Sequence, residues 1–530
     1  GLPASGTGDI PSFTPTNTGP TSITSTIVVT PTFGPCTGQT KTFTMTVHPV
    51  PDVTSTALAA TTCSGVAFAV TPVNGTDGSI PAGTKYSWPA PTVTGGMTGA
   101  GIGNLASNVN GTLTNLTNEA QTATYTVTPS YSGCPGTTFP VVVTVNPKPA
   151  ITNMTHIVCS GAAFAVAPQN GVNGVVPVGT TYSWFIPTVT GGMTGGVSGT
   201  DQPNIHATLV NNTTSNQTAT YTVTPKYLGC TGTPYTVVVT VKPKPVINNF
   251  AQELCSGNIF GVSPVQGVDG IVPASTLYSW PVPVMNNGIT GGTSGAASPH
   301  IFGTLYNPTL TPGATAVYTI TPTSNGCDGD PFTVTVTVNS TPVISNKTVA
   351  ICGAETFTIM PQHLVAQDTV PAGTTYSWPA PTTPTGVTGY ASGTNATSVS
   401  GTLMNTTGDV KTVVYDVTAT TPAPESCSRA FTVTVTLNPK PVIAAKTATI
   451  CGDGTFTVTP VDGTGGDIVP AGTTYTWAAP NTPITITGYA SGTDQSSING
   501  TLVNTTSTAQ TVVYNVTATT PAPASCTNTF

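Results

Sequence analysis

Apolar and polar residues alternate one by one through most of the chain, in runs of roughly five to eight positions, and no window of about eleven holds a helical spacing. In "TATYTVTP" (218–225), Tyr221 and Val223 fall on one side, and Thr220, Thr222 and Thr224 on the other. "YTVVVTV" (235–241), "NIHATLV" (204–210) and "AFAVAP" (163–168) follow suit. A period of two predicts half-buried strands with the apolar side inward. "TTYSWFIP" (180–187) sends Tyr182 and Trp184 inward and Ser183 outward. The same Y-x-W recurs at Tyr86/Trp88, Tyr278/Trp280, Tyr376/Trp378 and Tyr475/Trp477, which accounts for all five tryptophans. Trp88, Trp184, Trp280, Trp378 and Trp477 are therefore read as core anchors, with sugar stacking as the alternative. "GGMTGGVSG" (191–199) breaks the alternation and reads as an edge or a long loop.

The pattern repeats. "VHPVP" (47–51), "VNPKP" (145–149), "VKPKP" (241–245), "VNSTP" (338–342) and "LNPKP" (437–441) are spaced 98, 96, 97 and 99 residues apart. That is the size of one β-sandwich. Complete units are expected at 52–149, 150–245, 246–342 and 343–441. A partial unit, the second half of a repeat, occupies 1–51, and 442–530 lacks its last strand. The chain thus reads as a window on a longer array. Each unit carries six or seven predicted strands with turn signals between them. The expected fold is all-β: a tandem array of immunoglobulin-like antiparallel sandwiches joined by short Pro-rich linkers. In those linkers Pro147, Pro149, Pro243, Pro245, Pro439 and Pro441 fix their own φ and restrict the residue before them. Stiff links in series predict a rod on the order of 200 Å, from units of about ten-residue strands at ~3.3 Å per residue.

Composition narrows the function classes. Charged residues make up 5% of the chain and the net charge is −7, against about 25% charged residues in ordinary soluble proteins. No basic stripe exists for nucleic acid, and no apolar run reaches the ~20 residues that cross a bilayer. Threonine solubilises the strands in place of charge. Uncharged strand edges leave room for lateral association with like chains. The eleven cysteines recur at fixed repeat positions, which points to disulfides and an oxidising, extracellular location.

The pattern "C-S/A-G … Y-x-W … Y-T-V-T-P … G-C-x-G … F-T-V-T-V-N-P-x-P", with "GLPASGTGDIPSFTPTN" at the start, resembles the PKD-like (immunoglobulin-like) repeats of giant Bacteroidetes cell-surface adhesins and gliding-motility proteins exported by type IX secretion. The resemblance runs the length of the chain. It implies surface display and a stalk or filament role, and it carries over no catalytic residue. Gly1 opens a polar stretch without a secretory signal, and the C-terminal sorting domain of such exports is absent, which fits a fragment.

Candidate chemistry is sparse. His48, His156, His206, His300 and His363 occupy unlike positions without metal-ligand spacing. "GYASG" (389–393, 488–492) is not a nucleophile elbow, and "GAGIGN" (99–104) has no helix after it to make a phosphate site. Asp328 and Asp330 in "CDGD" are not copied in other repeats. No catalytic, cofactor or metal residue is assigned. Sequons such as Asn115-Leu-Thr and Asn405-Thr-Thr are read as composition. "DTV" (368–370) resembles an O-glycosylation signal at Thr369.

The cysteines allow two pairings. Within repeats the pairs are Cys63–Cys134, Cys159–Cys230, Cys255–Cys327, Cys352–Cys427 and Cys451–Cys526. Closing such a loop contributes about 4.4 kcal/mol on the chain-entropy account. Strand parity favours the other scheme, because the early cysteine sits at the first turn and the late one at the last hairpin, at opposite ends of a sandwich. Pairing across joints gives Cys63–Cys230, Cys159–Cys327, Cys255–Cys427 and Cys352–Cys526, and leaves Cys36, Cys134 and Cys451 for neighbours outside these residues. The functional expectation is a non-enzymatic extracellular segment giving reach and strength at a cell surface. The alternatives are a glycan- or surface-binding module and spacer repeats of a secreted polysaccharide-degrading enzyme.

Overall fold

A computed structural model describes residues 2–56, 58–311, 313–423, 426–481 and 484–530. The chain forms two compact units. One comprises 1–246 with 271–275 and 324–328, and the other 247–270, 276–323 and 329–530. Among the described residues both are built of strands, and the second adds three-residue 3-10 turns at Val365–Gln367 and Thr464–Gly466.

The first unit opens with a hairpin of β1 (Ile23–Val29) and β2 (Lys41–Val47), paired from Ile23↔Val47 to Val29↔Lys41. On its apolar face Ile23 and Phe43 are more than half exposed, and Ile27, Val29, Met45 and Val47 are partly buried.

Residues 150–245 show the complete repeat. Its strands are β3 (Met154–Cys159), β4 (Ala163–Val166), β5 (Thr181–Trp184), β6 (Gly199–Gln202), β7 (Ile205–Thr208), β8 (Gln217–Tyr227) and β9 (Tyr235–Lys242). One sheet runs in the order β3-β9-β8-β5-β6, and β4 pairs β7 in a second, smaller sheet. Between them lies the core. Phe164, Ile205 and Leu209 come from the small sheet side and meet Tyr182, Trp184, Tyr221 and the valines of β9. The threonines of β8 alternate with these, so the period of two in the sequence becomes an inside and an outside. The 52–149 repeat has the same sheet order and core.

Two features depart from the sequence expectation. The sandwich is not wholly antiparallel, since β3 pairs parallel to β9, from Met154↔Val237 to Cys159↔Lys242. The first and last strands of a repeat both run toward the next repeat. The alternation also predicts one extended segment from Ile151 to Val158, and the structure breaks it. Ala150–Ile151 pairs Gly174–Val175 before the chain shifts to β3. At the break Asn153 Oδ1 accepts the Thr236 N–H at 2.9 Å, and Asn249 and Asn346 do the same for Thr333 and Thr432.

In the second unit Lys347–Cys352 pairs parallel to Ser428–Asn438, which pairs antiparallel to Lys411–Thr420. The 442–530 repeat keeps Thr474–Trp477 against Val516–Thr519 and Gly492–Gln495, but 446–451 and 510–515 form no strand.

Candidate functional site: disulfide-bonded joints

Each Y-x-W tryptophan is buried, at 4–7% exposure. Each indole N–H donates to a backbone carbonyl thirteen residues on, as from Trp184 to Val197 at 2.9 Å and from Trp378 to Ala391 at 3.0 Å. That carbonyl belongs to the irregular glycine-rich segment, which delivers the edge strand β6. Gly199 pairs with Trp184 and lies flat against its ring, so that any Cβ there would strike the indole. The irregular segment is thus a wrapping around the anchor.

The recurring Asn-x-Thr has a structural task. Asn211 is 2% exposed, and its amide donates to Ser215 O (2.8 Å) and Val241 O (3.0 Å). Its Oδ1 accepts from the Thr213 N–H and hydroxyl at 2.9 and 2.8 Å. Asn115, Asn307 and Asn405 repeat this, reaching Val145 O, Val338 O and Leu437 O. The side chain closes a local turn and fastens it to the last strand. Sequence reasoning passed over this role; the signal available was recurrence at one fixed repeat position.

The cysteines sit at the ends of the sandwiches. Cys159 lies opposite Lys242 at the end of β9, and its next residues do not form a hairpin but cross to the second sheet, where the Gly161 N–H donates to Leu209 O at 2.8 Å. Cys230 lies in the hairpin before β9 begins, opposite Tyr227. The length of β9 separates them, roughly 25 Å at about 3.3 Å per residue, and a disulfide needs Cα atoms within ~7 Å. The within-repeat pairs Cys63–Cys134, Cys159–Cys230, Cys255–Cys327, Cys352–Cys427 and Cys451–Cys526 are accordingly absent from the structure.

The bonds present are Cys63–Cys230, Cys159–Cys327, Cys255–Cys427 and Cys352–Cys526, with Cα–Cα distances of 5.5, 5.7, 5.6 and 5.7 Å. The late cysteines are buried, each at 1% exposure. Beside Cys159–Cys327, Lys242 Nζ donates to Asn325 O at 3.0 Å. Pro147, Pro149, Pro243, Pro245, Pro439 and Pro441 are buried. In G-C-x-G, Gly229 takes the positive φ of the hairpin turn, and Gly232 lies so close to the Pro149 carbonyl that a Cβ would clash. Cys36, Cys134 and Cys451 are free thiols.

Four of the five histidines and the aspartate of "DTV" hold local structure. His48 Nδ1 lies 2.8 Å from Ser22 Oγ, His300 Nδ1 lies 2.9 Å from Ser263 Oγ, and His206 and His156 pack against Trp184 and Phe164. In "DTV", Asp368 is 1% exposed and paired with Lys347 at 2.5 Å, and the Thr369 N–H bonds Val343 O. Asp467 and Lys446 repeat the ion pair. Burial alone would raise the Asp368 carboxyl, but hydrogen bonds from Lys347 and Ser345 outweigh it and hold the group below the usual carboxylate range. Asp467 is held low in the same way by Lys446 and the Ala444 N–H. Among the described residues no group of three or more His, Cys, Asp or Glu is placed to hold a metal ion, and no helix is long and apolar enough to cross a membrane.

Fold and joints together define a tandem array of sandwich repeats. The profile described as "PKD-like domain" matches residues 60–149, 156–245, 252–342, 350–441 and 448–529, and the chain belongs to that family. No curated protein matches it significantly. Among solved structures it is similar to the human desmocollin-1 ectodomain (12% identity, 89% of this chain and 96% of that one, TM-score 0.19). It is also similar to immunoglobulin domains 1–4 of Sidekick-1 (11%, 71% and 96%, TM-score 0.18) and to the insect immune protein hemolin (13%, 73% and 99%, TM-score 0.19). At such scores the likeness carries no argument about what this chain does.

Proposed function

We propose that this chain is a segment of an extracellular stalk or filament at a cell surface, whose work is reach and resistance to tension. The observation that supports this reading is the set of four disulfides, each tying one repeat to the following one. A bond in parallel with a proline linker shares the load that would otherwise open the joint. Disulfides persist in oxidising surroundings, which agrees with an extracellular site, and the resemblance to giant Bacteroidetes surface repeats agrees with display through type IX secretion. We place the repeat boundaries after Pro51, Pro149, Pro245, Pro342 and Pro441. Single-molecule force spectroscopy tests the proposal: adding a reducing agent lengthens or softens the array. Identical extension curves with and without reductant would overturn it.

A second reading, an adhesive surface, has one observation in its favour. After the anchor tryptophan the other repeats carry Pro-Ala, Pro-Val or Ala-Ala, but 150–245 carries Phe185 and Ile186, 89% and 72% exposed. A glycan-array signal lost in Phe185→Ala would support it, and silence on the array would remove it.

A further inference from the structure

The four disulfides divide the chain into two covalent routes. The first follows Leu58–Cys63 and crosses from Cys63 to Cys230. It then runs along the backbone from 230 to 255, through the last strand of one repeat and the first strand of the next, and crosses from Cys255 to Cys427. The second follows Phe139–Asn146 and Met154–Cys159, crosses from Cys159 to Cys327, follows 327–352, and crosses from Cys352 to Cys526. The two routes share no residue. At each bonded joint one of them passes by the backbone and the other by a disulfide, and at the next joint they exchange these parts.

Strands of the two routes are hydrogen-bonded to each other. Leu58–Cys63 pairs parallel to Phe139–Asn146, Met154–Cys159 to Tyr235–Lys242, Phe250–Cys255 to Phe332–Asn339, and Lys347–Cys352 to Ser428–Asn438. Every one of these ladders has six residue pairs, with one strand from each route. Two routes that advance in the same sense require parallel pairing, because an antiparallel pair would send them in opposite directions. The residues between the early and the late cysteine of a repeat (64–133, 160–229, 256–326 and 353–426) lie on neither route. They hold the anchor tryptophans, the Asn115, Asn211, Asn307 and Asn405 clasps, and the exposed Phe185.

We propose that the oxidised chain carries tension on these two covalent routes, which bypass roughly seventy residues in each complete repeat, so that it cannot lengthen by unfolding, and that reduction of the bonds is the switch that makes it extensible. This deepens the stalk reading and rests on it only for the premise that the chain is pulled.

The routes hold little slack. A backbone reaches at most ~3.3–3.6 Å per residue, and a strand already stands at ~3.3 Å. Most of the path from 230 to 255 is strand, in Tyr235–Lys242 and Phe250–Cys255. If one route is cut, its load passes to the other across a parallel ladder, whose six pairs are sheared together instead of opening one at a time. Opening the switch is a balanced exchange. Each disulfide takes up two electrons and two protons from a dithiol and leaves two thiols, while the dithiol closes to a cyclic disulfide.

The test is force spectroscopy on the 530-residue protein, with azide-bearing side chains at the exposed Thr61 and Ser428 as handles on the first route. The oxidised protein should show no sandwich-sized step. Cys159→Ser with Cys327→Ser, which removes a bond of the second route, should leave the curve unchanged. Cys255→Ser with Cys427→Ser should add about 500 Å, because the shortest covalent route left is longer by about 150 residues at ~3.5 Å each. Handles at the exposed Thr155 and Ala350, on the second route, should exchange the two results. Dithiothreitol should add about 1,200 Å between Thr61 and Ser428, the whole backbone being then the only route, at the same length per residue. Sandwich-sized steps in the oxidised protein, or a bond pair whose removal lengthens it from both sets of handles, would overturn the proposal. Lengthening by dithiothreitol with the two variants alike would overturn the two routes and leave the stalk reading standing; no effect of dithiothreitol would overturn both.

Discussion

Cys159 is bonded to Cys327, 168 residues further along the chain, with the Cα atoms 5.7 Å apart, while Cys230, 71 residues away, lies at the opposite end of the same β9. The closed loop therefore spans a joint and parts of two sandwiches. Non-reducing peptide mapping should recover the 159–327 peptide and none joining 159 to 230. Cys327→Ser should lower the stability of the joined repeats by roughly 2–5 kcal/mol, read as a shift in the denaturant midpoint, and reduction of the parent protein, which breaks all four bonds, should shift it further.

Asn211 gives the second prediction. Replacing it with alanine removes a partner from the buried Val241 carbonyl and from the part-buried Ser215 carbonyl and Thr213 N–H. One stranded group costs about 1–3 kcal/mol. Asn211→Ala should therefore destabilise its repeat by roughly 3 kcal/mol in urea unfolding. Asn211→Asp, which keeps the acceptor and loses the donors, should fall between the two. Equal stability of all three proteins would refute the clasp.

The anchor strand gives a third. Gly199 lies against the Trp184 ring, so Gly199→Val has to move either the edge strand or the indole. Overpacking of this kind costs about 1–3 kcal/mol. The emission of Trp184, read in a variant with the other four tryptophans replaced by phenylalanine, should shift to the red as the ring is displaced toward water. An unshifted spectrum at unchanged stability would count against the packing described.

How much of this was legible beforehand follows from which interactions are local. Tyr182/Trp184 and the Tyr221/Val223 face could be read directly, because a strand's period of two is written in adjacent residues. The ends of the sandwich were legible through strand parity, which separates Cys159 from Cys230 without coordinates. The parallel pairing of β3 with β9 was not, because it joins segments some eighty residues apart and no adjacent pattern records it. The Asn211 clasp was hidden by its resemblance to a glycosylation sequon. The Asp368–Lys347 pair was hidden because its two halves are twenty-one residues apart and sit in different segments.

That ion pair carries the last prediction. Asp368 and Asp467 are buried against Lys347 and Lys446, whereas the corresponding loops of the earlier repeats have Asp77, Asn173 and Asp269 accepting from local backbone N–H groups at Val73, Gln169 and Val265. The folded carboxyls of Asp368 and Asp467 titrate below the ordinary value, which is about 3.9 in an unfolded chain. The unfolded state therefore binds protons first as pH falls. The stabilisation is complete above that value and is lost as pH drops through the lower, folded value, so acid should loosen 343–441 and 442–530 before the other repeats. At the alkaline end the sign reverses. Burial pushes the Tyr221 phenol up to about 12, so the unfolded chain loses that proton first, and the contribution fades as pH rises from about 10 toward 12. Hydrogen exchange resolved by repeat between pH 2 and 5 checks the acid limb. Lys347→Met should raise the pH at which 343–441 opens and leave 150–245 unchanged; simultaneous opening of all repeats in the parent protein would refute the assignment.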